Sequence, residues 1–132
     1  MSPAPQPESP APQPERPAPQ RVCFRLQVRP ELMDEYIARH SPVWPEMLEE
    51  IAASGRRDYS IFHLGGGVLV GFYVTDDDDA SQAYLAQSEV AARWEESMAP
   101  FFVALDGRAD QGAEQLPEVF HLESQLREAR GA

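Results

Sequence analysis

The segment YIARHSPVWPE, from Tyr36 to Glu46, places polar aromatic side chains beside a forced bend in the chain. Tyr36 and His40 are four residues apart, so on a helix their side chains leave from the same face. Pro42 and Pro45 cannot continue that helix and restrict the backbone after His40. Histidine exchanges protons near neutral pH, so His40 is a candidate general acid or base. A histidine on an apolar helix face is usually structural, however, so this segment alone leaves both interpretations open.

Other chemical signatures are missing from the chain. His40, His63 and His121 are far apart and cysteines are not paired, so we predict no metal site. The run Asp76–Asp79 lacks the spacing of a calcium loop and is typical of a helix N-terminus. Phosphate-binding and nucleophile-elbow motifs are also absent, and no cofactor is predicted. His40 therefore remains, together with polar-tipped aromatic residues that by default belong to a core: Tyr36, Tyr59 and Trp94.

The hydrophobic pattern predicts one α+β domain with the element order β-α-α-β-β-α-α-β. It favours an antiparallel sheet covered by helices on one face. Because the other face needs cover, pairing with a second copy is the simplest solution, and we expect a homodimer. The predicted elements are a strand from Arg21 to Val28, a helix opened by Pro30, a helix from Pro45 to Ser54, strands at Arg57–Leu64 and Val68–Val74 joined by three glycines, a helix after Asp79, a helix capped by Ser88, and a last strand at Glu118–Leu122.

Composition limits the classes of partner. The 132 residues carry a formal net charge of −11, which argues against a nucleic-acid partner because phosphate binding needs a basic patch. No apolar run reaches the length of a membrane span, and the N-terminus does not resemble a signal peptide. The single cysteine, Cys23, has no intramolecular partner, which suits a reducing cytoplasm.

The first twenty residues differ from the rest of the chain. SPAPQPE occurs twice in succession and a third PAPQ follows Arg16, which gives eight prolines in residues 1–20. Such a segment lacks the apolar residues of a core, so we predict a disordered, polyproline-like tail at 1–20 and a folded domain at 21–132. A passive extension is the simpler interpretation, and a tether or an SH3-type ligand is the alternative.

The pattern Y-x-x-x-H-x-P-x-W-P-E at Tyr36–Glu46 resembles the signature of the L-rhamnose mutarotases. The likeness continues through Gly55–Phe62, Ala92–Met98 and LPEVFHL near the end, and so covers about residues 22–122. It implies a dimeric ferredoxin-like α+β barrel without a cofactor. The implied reaction interconverts the α and β anomers of L-rhamnose, or a related 6-deoxy sugar, by acid–base opening and closing of the ring.

The same resemblance implies roles for individual residues. His40 falls on the family's proton donor, and Tyr36, Tyr59 and Trp94 fall on sugar-binding positions. Glu95 departs from the family, which often has a second aromatic residue after the tryptophan. As a substrate-binding residue, Glu95 would add a hydrogen-bond acceptor to the pocket; the alternative is that it points into solvent. The complementary base stays open among Tyr36, Tyr59 and a bound water.

Two functions of other classes compete with this interpretation. Ferredoxin-like dimeric barrels include haem-degrading and small-molecule monooxygenases, in which His40 would serve as an axial haem ligand. A non-catalytic sugar-binding or dimerisation module would use Trp94 without depending on His40.

Overall fold

The structure, a computed structural model, describes residues 18–105 and 107–131. Four strands form a single antiparallel sheet in the order β2-β3-β1-β4. The elements, besides short 3-10 turns at Pro30–Leu32 and Ala99–Phe101, are β1 (Gln20–Gln27), α1 (Met33–Arg39), α2 (Pro45–Ala53), β2 (Arg57–Gly65), β3 (Val68–Thr75), α3 (Asp78–Gln87), α4 (Glu89–Met98), α5 (Ala109–Gly112), β4 (Glu114–Leu116) and α6 (Leu122–Ala129). The predicted α+β class is confirmed, and so is the predicted order of elements from β1 to α4.

The central strands show why one face of the sheet holds the core. Along β3, buried and half-buried residues alternate strictly, as expected for a strand with one covered face. Phe24 of β1 lies opposite Gly71 of β3, and a Cβ on Gly71 would come within 2.1 Å of the Phe24 ring. The missing side chain therefore makes room for Phe24 between the strands and the helices. The buried face also carries Leu26, Leu69 and Tyr73.

Helix starts follow the residues that the sequence singles out. Pro45 begins α2 directly after Trp44, and Pro at this position has no amide hydrogen to leave unpaired. Asp77 caps α3 by accepting a hydrogen bond from Ala80 N, and Ser88 caps α4 through Ala91 N. The interpretation of the aspartate run as a helix N-terminus is thus confirmed at Asp77.

The prediction of a last strand at Glu118–Leu122 is wrong. The strand β4 ends at Leu116, because Pro117 has no N–H to donate to the ladder. Two residues further along the same register, Arg21 Nε lies 2.8 Å from Glu118 Oε2, so an ion pair replaces strand pairing. Phe120 is 61% exposed, and Leu122 already begins α6. The alternating apolar pattern of EVFHL suggested a strand, yet these side chains do not enter the core.

The predicted tail falls almost entirely outside the described residues, which begin at 18. The strand β1 starts at Gln20, which pairs with Thr75 and whose side-chain oxygen accepts a hydrogen bond from Asp78 N. The described helices do not have the length and apolar character needed to cross a bilayer.

We expect deletion of residues 1–17 to leave the melting temperature nearly unchanged, because these residues precede every described element. Deletion of residues 1–20 is the matched comparison, since it also removes the Gln20 contacts at the start of α3. Thermal unfolding of the two truncated chains measures the difference. A clear loss of stability on removing only residues 1–17 would show that the repeats contribute to the fold.

Candidate active site

His40 lies at the C-terminal end of α1 and is held on three sides. Its Nδ1 is 2.8 Å from the Tyr36 carbonyl oxygen, which can only accept, so Nδ1 carries the proton and donates it. The imidazole stacks on the Tyr36 ring at 4.1 Å and meets the Trp94 ring edge-on at 5.3 Å. In the neutral ring Nε2 is therefore an acceptor. Burial lowers the pKa of His40 below 6.5, against the opposing effect of the Tyr36 carbonyl.

The other aromatic residues predicted for the site gather around His40. Tyr36 is 5% exposed, and Trp94 is also buried and contacts Trp44. Tyr59 is half-buried on β2, where its ring meets Phe24 edge-on. Burial raises the pKa of Tyr36, with smaller contributions from Tyr59 and Glu95, and burial raises the pKa of Tyr59 to about 12. Both hydroxyls therefore keep their protons at neutral pH, so each is able to donate a hydrogen bond.

These side chains line a cleft between the helices and the sheet. An inner cavity of about 60 Å³ is bounded by Tyr36, Trp94 and the β1 residues Phe24 and Leu26. An outer cavity of about 440 Å³ opens beside α2. The outer volume falls within the range of small-ligand pockets. Residues that line both cavities are His40, Tyr59, Ile61, Trp94, Glu95 and Asp110.

Glu95 points into this cleft and not into solvent. The buried residues of α4 are Ala91, Trp94, Glu95 and Met98, which follow the spacing i, i+3, i+4, i+7 of a single helix face. Glu95 is 9% exposed, and burial raises the pKa of its carboxyl to about 7, with a further contribution from Asp110. A carboxyl of this kind holds a proton for a substantial part of the time at neutral pH.

Asp110, in the segment before β4, lines both cavities of the cleft, and Arg108 is paired with it. Arg108 makes a paired contact with Asp110, with Nε 2.9 Å from Oδ1 and Nη2 2.6 Å from Oδ2. Arg108 Nη2 also donates to the Leu85 carbonyl oxygen at 3.0 Å. The Asp110 side chain is only 7% exposed. Sequence reasoning missed both residues, since they lie in a segment without periodic pattern; the only signal was a charged pair spaced by one residue.

Arg56 is a third residue that the sequence analysis did not single out. It is 6% exposed, its guanidinium lies 4.2 Å above the Tyr73 ring, and its Nε donates to Ser81 Oγ. The guanidinium also lowers the pKa of Tyr59, against the larger effect of burial. Arg56 thus packs on Tyr73, acts on Tyr59 and contributes a positive charge to the lining of the outer cavity.

The assembled groups suit acid–base chemistry on a small polar ligand. A neutral imidazole with a free Nε2, a carboxyl that titrates near neutral pH and two protonated tyrosines surround one cleft. Among residues 18–105 and 107–131, no three histidine, cysteine, aspartate or glutamate side chains come together as a metal-ligand group.

Comparison with known proteins assigns the chain to a protein family. The family model for L-rhamnose mutarotase matches residues 21–122, about three quarters of the chain. The chain belongs to the L-rhamnose mutarotase family. The L-rhamnose mutarotase of Pectobacterium carotovorum is 33% identical over 103 residues, which cover 78% of this chain and 98% of that protein. The Bacillus subtilis protein of the same name is 34% identical over 96 residues, 73% of this chain and 91% of its own length.

A solved structure agrees with the family assignment. The crystal structure of the L-rhamnose mutarotase from Formosa agariphila matches with a TM-score of 0.65 at 25% identity, and the match covers 77% of this chain and 97% of that one. The segment 21–122 that matches the family model runs from β1 to β4 and contains the residues that line the cleft. The ferredoxin-like fold expected from the resemblance is confirmed.

Proposed function

We propose that the chain interconverts the α and β anomers of L-rhamnose by opening and reclosing the pyranose ring. The observation that carries this proposal is the joint placement of His40, Tyr36, Tyr59 and Trp94 around one cleft, in a chain that belongs to the mutarotase family. Family membership favours this activity over a haem-binding barrel and over a non-catalytic sugar module.

In the proposed reaction His40 is the proton donor of the ring-closing step, after it has accepted the same proton during ring opening. Mutarotation removes the proton from the anomeric hydroxyl while the ring oxygen gains one, and closing the ring reverses both transfers. Because Nδ1 is committed to the Tyr36 carbonyl, Nε2 of neutral His40 first takes the hydroxyl proton. The imidazolium then donates this proton to the carbonyl oxygen as the ring closes.

The remaining cleft residues suit binding of a 6-deoxy sugar. The hydroxyls of Tyr36 and Tyr59 keep their protons and can donate to sugar oxygens. The indole of Trp94 provides apolar surface for the C–H side of the ring and for its methyl group. The Glu95 carboxyl adds a polar contact where an aromatic residue is common in the family, and L-fucose and L-mannose are the related sugars to compare.

Polarimetry tests the proposed function. Freshly dissolved α-L-rhamnose should reach its equilibrium rotation faster with catalytic amounts of the protein than with heat-denatured protein. L-fucose and L-mannose, assayed in the same way, show how selective the cleft is. Relaxation at the uncatalysed rate for all three sugars would contradict the proposal.

We further propose that the chain forms a homodimer through the outer face of its sheet. On this face Val68, Val70 and Phe72 of β3 are half-buried, and Phe62 of the neighbouring strand is 64% exposed. An apolar sheet face of this extent is stabilised when it packs against a second copy.

The dimer prediction has a matched pair of variants. Light scattering should give twice the chain mass for the wild type at micromolar concentration. Phe62→Asp should lower this mass because it puts a charge on the outer sheet face, whereas Ile37→Asp, at the exposed surface of α1, should not. A wild-type monomer would contradict the proposal.

We also infer a cytoplasmic location, as expected from the lone cysteine. Cys23 is a free, half-buried thiol on β1 and is compatible with a reducing compartment. Fractionation of the native cells that finds the protein outside the cytoplasm would contradict this inference.

A further inference from the structure

The Glu95 carboxyl is the group in the cleft that most needs a chemical explanation. It occupies a buried position of α4 between Ala91 and Met98, where an apolar side chain would pack without a desolvation cost. Burying a carboxylate destabilises a fold unless the charge is paired or neutralised. Such groups cluster at functional sites, where the environment sets their pKa for a task.

The contacts of Glu95 hold it in place without neutralising it. Its Oε2 accepts a hydrogen bond from the Ala109 N–H at 3.1 Å, and the N–H of Asp110 also supports the carboxylate. The nearby guanidinium of Arg108 makes its paired contact with Asp110 instead. Backbone N–H groups therefore orient the Glu95 carboxyl. In either protonation state, neutral or ionised, the group stays inside the cleft.

His40 presents the opposite hydrogen-bonding polarity to the same cleft. Its Nδ1 proton is donated to the Tyr36 carbonyl, which leaves the Nε2 lone pair as an acceptor. Protonated Glu95 is a donor. The two residues line both the inner and the outer cavity, and the His40 ring also meets the Trp94 ring edge-on. A donor and an acceptor facing one sugar are what ring opening requires.

We propose that Glu95 is the second catalytic residue of this site and donates the proton to the ring oxygen while His40 takes the proton of the anomeric hydroxyl. This inference rests on the proposed function. The bond from the anomeric carbon to the ring oxygen breaks with its electron pair on the ring oxygen, which receives the Glu95 proton. The anomeric C–O bond becomes a carbonyl as Nε2 of His40 accepts the hydroxyl proton.

Closure of the ring returns both groups to their starting states. In the open chain the aldehyde group rotates about the bond that joins it to the rest of the sugar. The hydroxyl formed from the ring oxygen then attacks the other face of the carbonyl carbon and gives its proton back to the Glu95 carboxylate. The His40 imidazolium protonates the carbonyl oxygen. Protons and electrons balance over the cycle, and no co-reactant is consumed.

The assignment predicts a bell-shaped pH profile for the exchange rate. Protonation of His40 Nε2 removes the acceptor at low pH, and ionisation of Glu95 removes the donor above a pKa of about 7. The charged and titratable groups that line the cleft are Tyr36 of α1, His40 directly after it, Arg56 before β2, Arg57, Asp58 and Tyr59 at the start of β2, and Asp110 before β4. Arg108, which is paired with Asp110, also acts on the Glu95 carboxyl.

The test compares Glu95→Gln with Glu96→Gln on the full chain. Gln keeps the shape and the acceptor for Ala109 N–H but removes the transferable proton. Glu96 is the adjacent, exposed glutamate of α4 and serves as the matched control. We expect E95Q to lower kcat for L-rhamnose exchange by at least ~10-fold, with a smaller change in KM and with loss of the alkaline limb of the pH profile. E96Q should match the wild type.

The outcomes separate this inference from the proposed function. If E95Q exchanges the anomers at the wild-type rate, the catalytic role of Glu95 is overturned, while the proposed mutarotase activity stands. A slower E95Q that keeps the wild-type alkaline limb also overturns it, because a structural role lowers the rate without removing that limb. A wild type without exchange contradicts the proposed function itself. If E95Q does not fold, ¹³C NMR titration of the Glu95 carboxyl in the wild type tests the assignment instead. A titration midpoint at the same pH as the alkaline limb of the rate profile supports the role of Glu95. A midpoint near the ordinary value of 4.5 overturns it.

Discussion

Replacing His40 with Ala or Asn should slow anomer exchange by at least ~10-fold, and by as much as ~10²–10⁴-fold if acid–base catalysis there is fully lost. Neither replacement can take a proton from the anomeric hydroxyl and return it. Tyr36, Tyr59 and Trp94 remain to hold the sugar, so KM should change less than kcat. The rate is measured at several pH values, because the acid limb of the wild-type profile should disappear together with His40.

His121→Asn is the matched control for this prediction. His121 precedes α6 and bonds to Ser124, and it does not line the cleft. Loss of the His40 ring removes its packing against Tyr36 and Trp94, which costs on the order of 1 kcal/mol, so the fold should persist. Exchange at the wild-type rate in a folded His40→Ala protein would reject the role of His40.

The second large effect concerns stability. Between pH 4 and pH 8, the free energy of unfolding of the wild type should fall by about 3 kcal/mol relative to that of E95Q. The pKa of Glu95 is about 7 in the folded chain, against an ordinary value of 4.5, because burial and Asp110 disfavour the charged form. At pH 8 the folded protein must hold a buried charge that E95Q lacks, so E95Q should be the more stable protein.

The sign of this effect follows from proton binding. Below pH 4.5 the folded and unfolded wild-type chains both keep the Glu95 proton, and the contribution of this group to stability is fully present. Between pH 4.5 and 7 the unfolded chain releases the proton while the folded chain retains it, and stability is lost until the folded pKa is passed. Urea unfolding at both pH values measures the difference, and E96Q should run parallel to the wild type. If the difference in free energy of unfolding between wild type and E95Q is the same at both pH values, the pKa of Glu95 is not raised in the folded chain.

The part of the fold with strong periodicity could be predicted from the sequence. Alternation located β1 and β3, and Pro45 and Ser88 marked helix starts that the structure confirms. The strand predicted at Glu118–Leu122 failed because alternation shows only which side chains would share a face. It does not show whether a partner strand can pair, and Pro117 ends the ladder first.

The candidate site, too, could be predicted only in part from the sequence. Tyr36 and His40 could be paired from their spacing on one helix, and Trp94 from its place in an amphipathic helix. The burial of Glu95 was also present in the sequence, since Ala91, Trp94, Glu95 and Met98 form a regular stripe, but a glutamate is normally assigned to the surface. Asp110 reaches the cleft, with Arg108 paired to it, through the folding of the chain after α4, which no local pattern encodes.

The measurement that tests the central claim most directly is saturation-transfer NMR on L-rhamnose at equilibrium. The α-anomeric proton is saturated, and the loss of the β-anomeric signal is followed with catalytic amounts of wild-type protein and of His40→Ala at pH values on both sides of 7. We expect strong transfer with the wild type near neutral pH and transfer close to the protein-free level with His40→Ala. Wild-type transfer no greater than in buffer alone would contradict the mutarotase function.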